Sequence, residues 1–255
     1  MDISFIILTW NSEKYIEKCL VSIFENTKNF PFEIFIVDNG SSDSTKKIIK
    51  SFILLYPDII IPIFLDYNTG TTYSRNLALK RVSGKYIVII DSDVEILENT
   101  IEKLITTLSK DYSIGIIAPK LLYPTGKLQK STDYFPTLLT KIFRFFFLKL
   151  LEKKEQKQNE VDYAISAFWV MRKEIIEIVG LLDEKIFYAP EDVDFCLRIW
   201  QKGYKVVYLA EVKAIHDAQE ISRKFIINKP VIDHIKGLFY LFMKHRYFLK
   251  KPDYK

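Results

Sequence analysis

Short apolar runs that stop on polar clusters recur along the first part of the chain. Residues 3–9, 33–37, 60–65 and 86–90 are such runs, and each predicts a strand buried on both faces of a sheet. Between them apolar residues recur at helical spacing: Tyr15, Ile16, Cys19, Leu20, Ile23 and Phe24, then Ile48, Ile49, Phe52 and Leu55, closed by Pro57. A third helical segment carries Arg75 and ends at Ser83-Gly84. Asn11 or Ser12 is the expected cap of the first helix, and residues 42–45 of the second. Alternating strands and helices predict an α/β architecture, a doubly wound, mostly parallel sheet flanked by helices.

The later pattern is less regular. It predicts a helix over 99–108, a strand over 113–118, a turn-rich stretch over 121–135 and a Phe-crowded segment over 138–151, in which Lys141, Arg144 and Lys149 share one sector. A charged loop (152–160), a strand (161–170) and a short helix stopped by Gly180 follow. Pro190 suits the first turn of another helix, whose buried stripe is Val193, Cys196, Leu197 and Trp200, and a strand over 204–209 comes next. In the tail, Ile232, Ile235, Phe239, Phe242, Met243 and Arg246 share a helical face opposite Asp233, Lys236, Tyr240 and Lys244. The chain therefore divides into a single domain over 1–220 and a basic, amphipathic helical tail over 221–255. That tail either packs on the body or lies on a membrane surface.

Composition narrows the partners. With 255 residues and 49% hydrophobic content there is material for one large core. The net charge of +5 is modest for a nucleic-acid binder, and none is expected as a partner. Residues 221–255 hold nine Lys or Arg against two Asp, so the basicity belongs to the tail and suits an anionic surface. Cys19 and Cys196 both fall on apolar stripes and read as buried thiols of a reducing compartment. The N-terminal segment has no positively charged region of the signal-peptide kind, and no apolar run is long enough to span a bilayer. The expected location is the cytoplasm, or at most the inner face of the cell membrane, with peripheral attachment through the tail as the alternative to a tail packed on the body.

Parallel strands gather the polar clusters at their carboxyl ends along one edge, so Thr9, Asn11, Asp38, Asn68, Arg75, Asp91 and Asp93 should line one crevice. Asp91 and Asp93 end the 86–90 run at i and i+2; aimed at one spot they call for a hard divalent cation, Mn²⁺ or Mg²⁺. Neither standard glycine-rich phosphate loop occurs, so a nucleotide diphosphate would need such a counter-charge. Glu191, Asp192 and Asp194 crowd one first helical turn, more acids than complementing the helix dipole requires. The dipole would also keep a carboxylate ionised, as a general base must be. His216, one of three histidines, reads as a structural residue or a ligand.

Taken in order, Ile7-Leu8-Thr9-Trp10-Asn11-Ser12, Val37-Asp38-Asn39-Gly40-Ser41-Ser42-Asp43, Asn68-Thr69-Gly70 with Ser74-Arg75-Asn76, Asp91-Ser92-Asp93 and the acids from Asp183 to Asp194 resemble glycosyltransferase family 2, which has the GT-A fold, and within it the rhamnosyltransferase-like branch. The likeness runs over about residues 3–220. Trp10 stands where that branch usually has Tyr, Asp-Ser-Asp where it often has Asn-Pro-Asp, and residues 165–169 replace its usual Ser-Gly-Ala, which bears on acceptor choice. The resemblance implies an inverting, metal-dependent transfer of a sugar from a nucleotide-diphosphate donor to an acceptor hydroxyl, in cell-surface polysaccharide or glycolipid synthesis. It gives Asp192 as catalytic base, and Thr9, Trp10, Asn11, Asp38, Asn68, Arg75, Asp91 and Ser92 as nucleotide-binding. Asp93, Asp91 and His216 would hold the metal; Glu191 and Trp169 would stand on the acceptor side, facing a sugar or lipid-linked sugar. The alternatives are a sugar-1-phosphate nucleotidyltransferase, or a non-catalytic nucleotide-sugar-binding or scaffold protein on the same fold.

Overall fold

The structure is a computed structural model and describes residues 1–140, 159–218 and 229–254. Most of the Phe-crowded segment and of the charged loop after it therefore lies outside the described residues, as do the side chains of 229–232. The elements in order are β1 (Ile3–Thr9), α1 (Ile16–Asn26), β2 (Phe32–Asn39), α2 (Thr45–Leu55), β3 (Ile60–Leu65), α3 (Thr71–Leu79), β4 (Tyr86–Asp91), β5 (Val94–Ile96), α4 (Thr100–Lys110) and β6 (Ile114–Leu122). Then come β7 (Thr132–Asp133), β8 (Tyr163–Ala164), β9 (Phe168–Arg172), α5 (Lys173–Val179), α6 (Glu191–Gln201), β10 (Lys205–His216) and α7 (Lys229–His245).

Eight strands form one sheet in the order β3-β2-β1-β4-β9-β6-β10-β5. The first four are parallel, as the alternation of runs predicts. Beyond β4 the expectation fails in part, because β9 enters antiparallel to both β4 and β6. The physical reason is a break in the predicted 161–170 strand: Tyr163 and Ala164 pair with β7 in a separate two-stranded sheet, and the chain turns before Phe168 joins β4. The last predicted strand runs on to His216, where it pairs antiparallel with β5, a three-residue strand that the pattern did not reveal.

Side-chain alternation along the strands fills two cores. Ile3, Phe5 and Ile7 of β1 and Tyr86, Val88 and Ile90 of β4 face the layer built on α1, α2 and α4. Ile6, Ile87 and Ile89 face the layer of α3, α5, α6 and α7. This period of two fixes which side of the sheet any residue at a strand's end addresses. Cys19 and Cys196 sit one in each core, free, with burial pushing both thiols up. The expected side-chain cap of α1 does not form, since α1 starts after Tyr15; at α2, which starts after Ser44, Asp43 within the expected 42–45 stretch accepts from the Thr45 N–H through Oδ1.

The tail helix α7 is docked, but not along the apolar face that the pattern marks. Leu241 and Phe242 are buried, Ile235, Phe239 and Met243 of that face are exposed, and Tyr240 and Lys244 of the opposite face turn toward the body while Lys236 stays outside. Tyr240 and Lys244 donate to Asp183 Oδ2 (2.9 and 2.6 Å), and Lys244 Nζ and His245 Nε2 reach Asp194 Oδ1 (2.6 and 2.8 Å). Arg198 holds the other Asp194 oxygen at 2.9 Å. Burial opposes ionisation of Asp194, but the His245 bond and the charges of Arg198 and Lys244 hold its carboxyl well below the usual range. Among the described residues no helix is long and apolar enough to cross a membrane.

Because Asp194 is depressed in the folded state, its contribution to stability is complete above the unfolded carboxyl value of about 3.9 and fades as pH falls below it. Asp194→Asn is expected to lower unfolding free energy at pH 7 by about 3 kcal/mol. The gap from the parent should narrow below about pH 4, as measured by urea unfolding across that range.

Candidate active site

The order of the first four strands reverses between β1 and β4, and a crevice opens there at their carboxyl ends, where α/β sheets bind ligands. Thr9 and Asp38 are register partners on β1 and β2, and both are wholly buried. Thr9 Oγ1 donates to Asp38 Oδ2 (2.9 Å), the Ser41 N–H donates to Oδ1 (3.0 Å), and Lys46 lies 3.7 Å away. The pair is therefore the floor of the crevice, with its polar groups directed at each other. Asn11, at a left-handed φ of 52°, accepts from the Ser42 N–H, and Trp10 beside it is 47% exposed. Asn68 Oδ1 accepts from Asn39 Nδ2 and the Gly70 N–H, both at 2.9 Å. Asn39, which belongs to the Val37–Asp43 motif but was assigned no role from the sequence, is buried and also accepts from the Thr69 N–H at 2.8 Å. Its signal was its place at the end of β2.

Gly70 has φ of 88°, and a Cβ there would run into the Phe187 carbonyl and ring, so only glycine lets this loop touch the approach to α6. An open cleft of about 620 Å³, lined by Phe64, Tyr67, Asn68, Thr69, Tyr73 and Glu184 among others, adjoins it.

Asp91 follows Ile87 and Ile89 in parity, so it addresses the α3–α6 side of the sheet. There it meets Arg75, which corrects the expectation for that residue. Arg75 is 2% exposed; its Nη2 donates to Asp91 Oδ1 (2.6 Å), and its Nη1 donates to Ser166 Oγ (2.7 Å) and lies 3.5 Å from Glu191 Oε1. Ser166 Oγ in turn donates to Glu191 Oε1 (2.8 Å). Arg75 thus cross-links the end of β4 to the start of α6 instead of presenting its guanidinium to a nucleoside. Ser92 is buried too, its hydroxyl donating to Ser12 Oγ.

Asp91, Asp93 and His216 each offer a ligand atom within 4.8 Å of the others. Asp93 lies in the turn after β4, not on the strand, so the expected i, i+2 geometry is not what unites the acids. Pairing of His216 with Val94, and the Asp217 N–H donating to the Asp93 carbonyl (2.9 Å), fold β5 and β10 together there. His216 Nε2 is 3.2 Å from Asp93 Oδ1, while Nδ1 is 2.8 Å from Gln129 Oε1. With the Gln129 oxygen accepting, Nδ1 carries the hydrogen and Nε2 is presented to the carboxylates, the arrangement of a metal-binding imidazole. Burial raises the Asp91 carboxyl more than Arg75 lowers it, and the Asp93 charge adds to the rise. Burial opposes charge on His216, but Asp93 and Asp91 raise it overall. Two oxygen donors and one imidazole, short of positive charge, fit a divalent cation.

The three acids of α6 separate by environment. Glu191 is buried against Ser166 and Arg75; burial, then Asp192, push its carboxyl up to about 8 against the pull of Arg75. Asp194 is buried in the clamp with Arg198 and α7. Asp192 alone keeps part of its surface open, and its Oδ1 accepts from the Val193 N–H at 2.8 Å. Trp169 is a correction: it is fully buried on β9, stacked on Phe195, with its indole N–H donating to the Ala164 carbonyl, so it belongs to the core and not to an acceptor surface.

A sequence profile of the family described as Glycosyl transferase family 2 matches residues 4–180. Among curated proteins, the chain is 24% identical to glycosyltransferase AglE of Haloferax volcanii over 89% of its own length and 72% of that protein. It is 22% identical to the N-acetylglucosaminyl-diphospho-decaprenol L-rhamnosyltransferase of Mycobacterium tuberculosis over 82% of its length and 74% of that protein. The solved mannosyltransferase PcManGT of Pyrobaculum calidifontis, in complex with GDP-Man and Mn²⁺, superposes with a TM-score of 0.67 at 19% identity. That superposition takes in 98% of this chain but only 65% of the solved one.

Removing the cross-link is expected to be costly. Arg75→Met removes the partner of half-buried Asp91 and of buried Ser166 and Glu191 and should destabilise the fold by about 3 kcal/mol. Arg75→Lys should recover only part of this, because one ammonium cannot fork between Asp91 and Ser166. Thermal denaturation of both variants checks the order.

Proposed function

Because the chain belongs to glycosyl transferase family 2, we propose that it transfers a sugar from a nucleotide-diphosphate donor to an acceptor hydroxyl, in assembly of a cell-surface glycan. The observation that carries this reading is the Arg75 bridge, which joins the Asp91 side of the crevice to the turn bearing Asp192. The donor's nucleotide lies over the Thr9–Asp38 floor, between the Trp10–Asn11 turn and the Asn68–Gly70 loop. Asp91, Asp93 and His216 hold the divalent cation, which when bound supplies counter-charge for the departing diphosphate.

Asp192 takes the proton of the acceptor hydroxyl, the acceptor oxygen attacks the anomeric carbon from the side opposite the leaving group, the bond from that carbon to the diphosphate oxygen breaks to release the nucleoside diphosphate, and the configuration inverts. Glu191 is a positioning residue: buried against Ser166 and Arg75, it sets where the first turn of α6 stands and, with its carboxyl raised, limits repulsion against an ionised Asp192. The acceptor in this reading is a sugar on a lipid carrier, the chemistry named for the mycobacterial relative. A sugar-1-phosphate nucleotidyltransferase is not favoured, since Thr9-Trp10-Asn11-Ser12 carries no glycine-rich, basic phosphate loop. A scaffold role leaves the grouping of Asp91, Asp93 and His216 without a purpose.

Asp192→Asn is expected to lower turnover by about 10²-fold to 10⁴-fold while thermal stabilisation by nucleoside diphosphate with Mn²⁺ stays at the parent level. Near-parental turnover would remove Asp192 as the base. Asp93→Ala should reduce both turnover and the Mn²⁺-dependent part of that stabilisation.

A further inference from the structure

Among the described residues, helix α7 is held by one side. Gly237 packs so closely on the Ala189-Pro190 segment that a Cβ would collide with the Ala189 carbonyl, and Leu241 is fully buried. Lys244 and His245 are tied to Asp194. Positions 237, 241, 244 and 245 are one helical face, so the rotation of the helix is fixed. The stripe at Ile235, Phe239 and Met243 cannot turn inward, and these side chains are 61%, 65% and 56% exposed. The patch continues past the helix: Leu249 is exposed, and the Leu138 N–H donates to the Phe248 carbonyl (2.7 Å), setting exposed Leu139 alongside.

Large apolar side chains in such an array are unfavourable against water and mark a contact surface. Its flanks identify the occupant. Lys236, Arg246 and Lys250 are all exposed around the stripe, within the segment that carries nine basic residues against two acids. A second copy of the chain would bring two such basic faces together and be repelled, whereas an anionic lipid surface satisfies both the apolar stripe and the cations.

The geometry points to this face of α7 as a docking surface for anionic bilayers. The helix lies flat, its stripe entering the lipid and its basic flanks meeting the headgroups. Its inner side grips the residues just before Glu191 and Asp192, so docking holds the candidate catalytic turn one helix diameter, roughly 10 Å, from the membrane face from which a lipid-carried acceptor would come. That purpose rests on the transfer reaction proposed above; the docking itself does not.

Flotation of the full chain with phosphatidylcholine vesicles, with and without phosphatidylglycerol, tests it. The parent should float with the anionic vesicles, less at high salt, and poorly with the neutral ones. Phe239→Asp, and separately Ile235→Asp, should lower the floated fraction about tenfold with unchanged melting and unchanged hydrolysis of nucleotide sugar in the absence of vesicles. Lys236→Glu with Lys250→Glu should weaken binding only to anionic vesicles. Failure of the parent to float, or equal flotation of Phe239→Asp, overturns the docking face and leaves transfer standing. Self-association of the parent in sedimentation that Phe239→Asp abolishes, without flotation, assigns the face to a second copy and also overturns it. Flotation with no hydrolysis of any nucleotide sugar would instead count against the transfer reaction alone.

Discussion

A guanidinium buried between two carboxylates organises this molecule. Arg75 sits on α3, Asp91 at the end of β4 and Glu191 at the start of α6, elements far apart in sequence. Taking a guanidinium out of water is unfavourable unless it finds partners, and here the planar fork of Arg75 reaches Asp91 and Ser166 at once, beside Glu191. The fork geometry that makes Arg suited to this also makes the arrangement specific. A shift of α6 along the sheet would leave buried charge unmatched, so the turn carrying Asp192 has one favourable position relative to Asp91.

From that constraint follows the sorting of three neighbouring acids on one helical turn. Glu191 is drawn to Arg75 and Asp194 to Arg198, Lys244 and His245, so neighbouring positions on one turn take partners from different elements. Asp192 lies between them in sequence and keeps part of its surface open. The helix dipole favours ionised acids at this end, yet burial raises Glu191 while partners depress Asp194, so one turn holds carboxyls of very different proton affinity. The tail helix belongs to the same logic, because its inner face supplies two of the partners of Asp194.

Read from the chain alone, the alternation of apolar runs and helical stripes determined β1 to β4, α1 to α3 and their parallel arrangement, because buried strands and amphipathic helices are local patterns. The crevice at the strand ends followed, as did the residues gathered there: Thr9, Asn11, Asp38, Asn68, Asp91 and Asp93. Tertiary structure decided what those residues touch. Thr9 and Asp38 face each other, Arg75 faces inward to two acids, Trp169 stacks on Phe195 in the core and Gln129 orients His216, and none of these contacts joins close sequence neighbours. The three-residue β5 is too short to leave a periodicity, yet its pairing with β10 is what brings His216 to Asp93. The tail makes the same point: its amphipathic pattern marked two faces, but which one met the body depended on acids at Asp183 and Asp194. Charge pairing across distant segments, invisible to any local pattern, turned Tyr240 and Lys244 inward and left Ile235, Phe239 and Met243 outside.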